Sequence, residues 1–245
     1  DITRNLLRTA SVIGRNFYFK ILQEATETIE ELDNRLEYLK DIQLLNERKH
    51  KDEVEFLFKH ALAQQATYES ILETSRKELH QKIANSIEKV FAERIHEFYG
   101  TLAHHYGKAG NKEKTKEYLK KAGEESQKSG ASYEAVNFYR QAIEMIQQED
   151  GNQNQQTIID LQEKLVFVLG TAGQHKEAIE CGDMLISHYY KPLPRNDLGM
   201  TISHIFNLLY SLRIIYFFKY NPDAGSRAID LKLIRIIINS SQSLA

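Results

Sequence analysis

The amino-acid sequence predicts a mainly α-helical chain with one small β-hairpin near its N-terminus. Only three prolines and twelve glycines interrupt its 245 residues, and residues that favour helices dominate. Apolar residues recur at helical spacing along most of the chain. The exception is a short stretch in which Val54, Phe56 and Phe58 alternate with Glu55 and Lys59, the two-residue period of a half-buried strand.

Length and charge limit the classes of protein to which this chain can belong. A chain of 245 residues can form one large domain or two small ones. The formal net charge of -2 predicts no general attraction to nucleic acid or to anionic lipid. Cys181 is the lone cysteine, which excludes an internal disulfide and favours a cytoplasmic location. Because the chain begins at Asp1 inside a predicted helix, we expect it to be a fragment of a longer protein.

Three helices are predicted before the hairpin. The first runs over residues 2–13 and ends at Gly14, and the second covers residues 17–25. Thr28 is the predicted cap of the third helix, with Glu31 at capping-box spacing. The inward positions of this third helix are Ile29, Leu32, Leu36 and Leu39.

The hairpin is followed by two more predicted helices. Residues 44–48 form the partner strand, and residues 49–53 form a polar turn. His60 then lies at a helix N-terminus, and Ala61, Tyr68 and Leu72 share one helical stripe. A further helix begins at Ser75. Helices on both sides of a hairpin predict a winged-helix-like module over residues 1–92.

A DNA-binding winged helix is an alternative, because the third helix of such modules enters the major groove. Here that helix carries Glu27, Glu30, Glu31, Asp33, Glu37 and Asp41 against only Arg35 and Lys40. An acidic helix repels phosphates instead of releasing their counterions, so the charge pattern disfavours a DNA-binding transcriptional regulator.

The pattern of apolar and small residues over 93–191 predicts helix pairs at tetratricopeptide spacing. We therefore expect a divergent superhelix of such repeats. Thr115 departs from the repeat pattern, which prefers alanine there, and a polar insert at 148–157 lengthens one unit. Such arrays leave a concave groove, in which we expect a protein or peptide partner. The predicted repeat-packing residues are Tyr99, Leu102, Ala103, Tyr106, Gly110, Leu119, Ala122, Ala135, Tyr139, Ala142, Gly173 and Ala178.

Three blocks resemble a known family: LLRTASVIGRNFYFKIL at 6–22, FLFKHALAQQATYESIL at 56–72 and SRKELHQKIANSIEKVF at 75–91. They are similar to the segment that follows the ATPase core in STAND-type, AAA-related regulators, including multidomain class III adenylate/guanylate cyclases. HEFYGTLAHHYGKAGNKEKTKEYLKKAGEES at 96–126 resembles the start of the tetratricopeptide array of that family. The resemblance implies ATPase and output domains N-terminal to this chain. The chain itself has no G-x-x-x-x-G-K-[ST] loop to bind phosphates.

Residues 192–245 predict a C-terminal pair of apolar helices, after a break at residues 191–197 that contains Pro192 and Pro194. The first helix covers 202–218 and the second 228–238. His204, Asn207 and Arg213 interrupt the first, which favours a buried helix over a membrane span. We expect self-association of the isolated chain through residues 202–238.

Candidate reactive residues are few. The resemblance implies that His60 lies where a winged-helix histidine can contact nucleotide phosphates bound by the absent ATPase domain; the alternative is a histidine that caps or packs at the junction. His104 and His105 are adjacent, so a helix points them about 100° apart, a poor geometry for one metal ion. No catalytic residue, cofactor site or metal site is predicted.

The sequence therefore predicts a non-catalytic regulatory and protein-interaction chain. Its repeats would bind a partner or the parent's own ATPase and output domains, and the winged-helix-like module would relay that binding to the ATPase. A plain repeat scaffold without switching is an alternative, and an autonomous enzyme is the least favoured class.

Overall fold

A computed structural model describes residues 2–26, 31–50, 53–148 and 154–189. These residues are mainly helical and include a small three-stranded antiparallel sheet, as the sequence predicts in outline. The predicted break at 191–197 and the predicted helices at 202–218 and 228–238 lie outside the described residues. Within the described ranges no helix is both long and apolar enough to cross a bilayer.

The chain divides into two compact units, Asp1–Ala122 and Gly123–Ala245. This division differs from the predicted boundary at residue 92, and the predicted ranges stay predictions. The described elements that begin in the first unit are α1 (Ile2–Ile13), β1 (Asn16–Tyr18), α2 (Phe19–Ala25), α3 (Leu32–Asp41), β2 (Leu45–His50), β3 (Glu53–Phe58), α4 (Ala61–Glu69), α5 (Glu73–Val90), a 3-10 segment (Ala92–Phe98), α6 (Tyr99–Ala109) and α7 (Lys112–Lys128).

The sheet has the order β1-β3-β2, and both pairings are antiparallel. The predicted second helix is wrong at its start, because Phe17 and Tyr18 belong to strand β1 and the helix begins at Phe19. Phe17 lies opposite Phe56 in the register, and the two rings stack with centroids 5.9 Å apart. The buried partner across the sheet thus outweighs the helical spacing of the local sequence.

Two further boundaries differ from the prediction. The hairpin strands extend to the pair His50 and Glu53, so the turn is shorter than the predicted 49–53. Helix α3 begins at Leu32, with Glu31 as its N-cap at φ 61°, and Glu31 therefore does not hold the N3 position that a cap at Thr28 requires. Thr28 and Ile29 lie outside the described residues.

The core of the first unit joins α1, α2, α3 and the sheet around aromatic and branched apolar side chains. These elements pack together because each turns one apolar face toward the sheet. The buried members of this core are Leu6, Ala10, Phe17, Leu22, Leu36, Leu39, Leu45, Phe56 and Phe58.

The second unit contains α8 (Ser132–Gln147), α9 (Gln155–Thr171) and α10 (His175–Tyr189), and α9 packs on both of the others. Gly173, at φ 75°, turns the chain between α9 and α10 in a backbone conformation that suits glycine. Gly123 makes a close approach: a Cβ built there would lie 2.5 Å from the Tyr139 ring. Packing of consecutive helices at this density requires small residues at the contact points.

Candidate functional site

His60 lies at the junction of β3 and α4, as predicted, and it is the N-cap residue of α4. Its backbone is extended, its side chain makes no capping hydrogen bond, and the residue is exposed. An exposed histidine at this junction is accessible to a neighbouring domain. Its contact with a nucleotide stays a prediction.

Helix α4 buries none of its side chains. The predicted stripe of Ala61, Tyr68 and Leu72 is wrong at its end, because α4 stops at Glu69 and Leu72 is the N-cap of α5. Leu62 and Leu72 are large apolar residues that are 79% and 76% exposed. The Gln64 side chain donates to the backbone oxygen of Ser11 at 2.7 Å, which ties α4 to α1.

Helix α5 contacts several other elements of the first unit. It packs against α1 and α2 on one side and against α6 and the 3-10 segment on the other. Ile83, Ala84 and Ile87 are fully buried along it. The burial of these residues gives α5 a fixed position, from which its polar residues can be directed at specific partners.

A row of polar side chains on α5 binds α6 and α7; we call this set the α5 ladder. Its α5 members lie within about two turns of one another, and Gln81, Asn85 and Glu88 have the i, i+4 and i+3 spacings that place them on one helix face. Its contacts are His80 Nδ1 to His105 Nδ1 at 2.8 Å, Asn111 Nδ2 to Gln81 Oε1 at 3.3 Å, Tyr106 Oη to Asn85 Oδ1 at 3.1 Å, Lys114 Nζ to Glu88 Oε1 at 3.1 Å, and Tyr118 Oη to Glu88 Oε1.

The histidine pair is the most deeply buried part of the ladder, with His80 2% exposed and His105 1% exposed. The Tyr68 hydroxyl lies 3.1 Å from His80 Nε2, so the hydrogen bonds form a chain from α4 through α5 to α6. A neutral imidazole has one donor and one acceptor nitrogen, so this chain runs in a single direction from Tyr68 to His105 or the reverse. It therefore fixes the tautomer of both rings together.

Both rings are neutral at pH 7. Burial lowers the pKa of His80 to about 4, with smaller contributions from the nearby charges of His104, Lys108 and Arg76. Burial likewise lowers the pKa of His105 to about 3, assisted by His80 and His104. Desolvation disfavours the charged imidazolium, which no carboxylate of the described residues offsets in either case.

Sequence reasoning missed this pair, because His80 and His105 are 25 positions apart. It considered His104 and His105 only with each other, and their rings are 5.4 Å apart in an edge contact. Among the described residues no group of three or more histidine, cysteine, aspartate or glutamate side chains could hold a metal ion.

At the other end of the ladder, Glu88 accepts hydrogen bonds from Tyr118 and Lys114. Burial alone would raise the pKa of Glu88, but these hydrogen bonds hold that pKa below its ordinary value. The Tyr106 and Tyr118 rings stack with centroids 5.7 Å apart, and the Lys114 ammonium lies 5.8 Å and 5.6 Å from them. Burial and the Glu88 carboxylate raise the pKa of both tyrosines. Glu88 is thus an ionised acceptor surrounded by donors.

Most of the predicted repeat-packing residues are buried, and the others are the half-buried Tyr99 and two turn glycines. Gly110 and Gly173 lie in turns with φ 83° and 75°, and Tyr99 is half-buried. Thr115, the departure from the repeat pattern, is buried, and its methyl would lie 3.5 Å from a Cβ at Gly107. The buried members of the predicted set are Leu102, Ala103, Tyr106, Leu119, Ala122, Ala135, Tyr139, Ala142 and Ala178.

Comparison with known proteins gives no relative: no family model matches the chain, and no similar curated protein or solved structure is found.

Proposed function

We propose that this chain is the regulatory and protein-interaction region of a multidomain STAND-type signalling ATPase, of the adenylate/guanylate cyclase-like kind. In this proposal it is not itself an enzyme. It relays the binding of a protein partner to ATPase and output domains elsewhere in the parent protein. A winged-helix-like module provides the contact with the ATPase, and a tetratricopeptide-like array binds the partner.

The order of elements supports the winged-helix-like part. A helix, a short strand, two helices and a hairpin follow each other, and the short strand pairs with the second hairpin strand. Consecutive helices with glycine turns at Gly110, Gly130 and Gly173 support the repeat-like part. Neither arrangement carries a reactive constellation among the described residues, which favours a binding function.

The single observation that carries the relay is the dual packing of α5. This one helix packs against α1 and α2, and it also contacts α6 and α7 through the α5 ladder. A shift of α6 would therefore move or strain α5, since hydrogen bonds between side chains depend on distance and angle. Such a relay operates only if the partner prefers one of the two arrangements.

Helix α4 is the proposed contact with the ATPase. It exposes Leu62, the exposed His60 lies at its N-terminus, and the exposed Leu72 follows it at the start of α5. Exposed apolar side chains beside a polar group are typical of protein contact surfaces. The Tyr68 to His80 hydrogen bond connects this helix to the ladder.

The two alternatives make different use of the same residues. A plain scaffold would need the array but not the ladder. A DNA-binding module would need a basic third helix, but α3 carries Asp33, Glu37 and Asp41, and its Lys40 is paired with Glu47 at 2.8 Å. That pairing further weakens the DNA-binding alternative.

The test is ATP hydrolysis by a longer version of the natural protein that includes the residues preceding Asp1. We expect a phosphate-binding loop in those residues, and we expect Glu88→Gln to change the hydrolysis rate severalfold without changing nucleotide affinity. Glu113→Gln is the matched control, because Glu113 is an exposed carboxylate outside the ladder. An absent phosphate-binding loop, or equal rates for the two variants, would contradict the relay.

A further inference from the structure

A cleft of about 480 Å³ lies in the first unit between α1 and the connection from α4 to α5. Its apolar wall includes Ile71 and Leu79, and its polar wall includes Arg8, Lys82 and Ser75. It does not involve the α5 ladder, which lies on the face of α5 toward α6 and α7. A volume of this size holds a small molecule or one large side chain.

Arg8 is the unusual member of the lining. Its Nε atom is buried and has no hydrogen-bond partner. Buried donors of this kind are rare in folded proteins, because leaving one unpaired costs the free energy of its lost hydration. Arg8 is only half-buried as a residue and lines the cleft, so an anion bound there would offset this cost by placing a negative charge beside the guanidinium.

The other cationic group of the cleft is also unpaired. Lys82 lies on the exposed rim, and it forms no ion pair with any carboxylate among the described residues, although Glu78 is four positions before it. Arg8 and Lys82 give the lining two positive charges against the single carboxylate of Glu78. The cleft therefore has an excess of positive charge and of hydrogen-bond donors.

From this arrangement we infer that the cleft binds a compact oxyanion, a phosphate or carboxylate group on a small molecule, with the Arg8 guanidinium as its anchor. A guanidinium presents paired donors that match the oxygens of either group. Lys82 adds a second charge at the rim, and the Ser75 hydroxyl adds a neutral donor. Ile71 and Leu79 would contact the apolar remainder of the ligand. This inference does not depend on the proposed function.

The position of the cleft gives binding a structural consequence. Arg8 is on α1, whereas Ser75 and Lys82 are on α5, so one ligand would contact both helices. It would then favour the arrangement in which α1 and α5 are close together. The stability of the chain would increase with ligand concentration.

The experiment is calorimetric titration of the whole 245-residue chain with two probes, sodium pyrophosphate and sodium succinate, at low ionic strength. We expect saturable binding of at least one probe, and the stronger of the two identifies phosphate or carboxylate as the preferred group. Arg8→Gln should weaken this binding by about tenfold or more, since it removes a charged hydrogen-bonding group. Lys82→Gln should weaken it by about threefold, and added salt should weaken it further.

Arg4→Gln is the matched control, because Arg4 is an exposed arginine on the same helix that does not line the cleft. It should bind the probe as the unaltered chain does. If Arg8→Gln fails to fold, as judged by circular dichroism, the exposed Lys82→Gln still decides the question. No binding of either probe, or equal binding by the Arg4, Arg8 and Lys82 variants, would overturn the inference.

Discussion

The contact of α5 with α6 and α7 and the packing of α8, α9 and α10 are built from different side chains. The first includes polar groups that form hydrogen bonds across the contact, namely the buried His80 and His105 and the half-buried Glu88. The second has an apolar buried core, with Ala135 and Ala142 fully buried, and polar contacts such as Ser132 with Thr171 lie on its exposed surface. Apolar contacts are non-directional and tolerate small shifts, whereas buried hydrogen bonds hold one geometry and lose most of their benefit in another. In the proposed relay, the polar contact is therefore the one that would respond to a shift between the helices.

The largest expected effect tests the apolar packing. Tyr139 is fully buried, and Tyr139→Ala should lower the free energy of unfolding by about 3–5 kcal/mol because it leaves a large cavity. Tyr139→Phe should lower it by only about 1 kcal/mol, since it removes one hydrogen bond to Gln127. Urea denaturation measures both. Similar losses for the two variants would mean that the hydroxyl, not the ring volume, stabilises this packing.

The next effect tests the ladder. Tyr118→Phe removes a donor to the Glu88 carboxylate, which should cost about 1.5–3 kcal/mol because a charged acceptor loses a partner. Tyr133→Phe is the control, because Tyr133 is 62% exposed. Thermal and urea denaturation of both variants would show a clear difference. Equal stability of the two would show that the ladder contributes little.

Acid should weaken the first unit through the histidine pair. The folded-state pKa values of His80 and His105 lie near 4 and 3, below the ordinary value of 6.5, so the unfolded chain takes up protons first. The stabilisation is complete above pH 6.5 and is lost as the pH falls from there toward about 4. One such histidine implies a loss of about 2 kcal/mol between pH 6.5 and 5.

Urea denaturation at several pH values measures this slope, and the double variant His80→Gln/His105→Gln supplies the control. Its stability should change less over the same range, because neither glutamine titrates. An unchanged slope in the double variant would assign the acid sensitivity to other groups.

The smallest effects compare two helical glycines of the second unit. A Cβ at Gly123 would lie 2.5 Å from the Tyr139 ring, so Gly123→Ala should destabilise by about 1–2 kcal/mol. Gly170 has no atom within 4 Å of such a Cβ, so Gly170→Ala should stabilise by about 0.5–1 kcal/mol. Melting temperatures should therefore move in opposite directions. Changes of the same sign would contradict the close approach at Gly123.

Much of the fold follows from local sequence. Period-two alternation at Val54–Phe58 predicts β3, which the structure contains, and helical spacing predicts most of the described helices. The position of His60 at a helix N-terminus follows from the change of period at that point. These features depend on neighbours within a few residues, which the sequence displays directly.

Other features depend on residues that are far apart in the chain. The local sequence of β1 has helical spacing, and only the pairing of Phe17 with Phe56 makes it a strand. The sequence around His105 gives no sign of its hydrogen bond to His80, whose Nδ1 lies 2.8 Å from His105 Nδ1 in the folded chain. The unpaired Nε of Arg8 indicates a binding site only because Arg8 lines the same cleft as Ser75 and Lys82.

By itself, the sequence determined a helical chain with one hairpin, a lone cysteine and an acidic third helix. Tertiary structure alone decided the third strand, the α5 ladder, the neutral histidine pair and the cleft. The physical reason is range: periodicity and capping act within one or two turns, whereas burial and side-chain hydrogen bonds join residues that only the folded chain brings together.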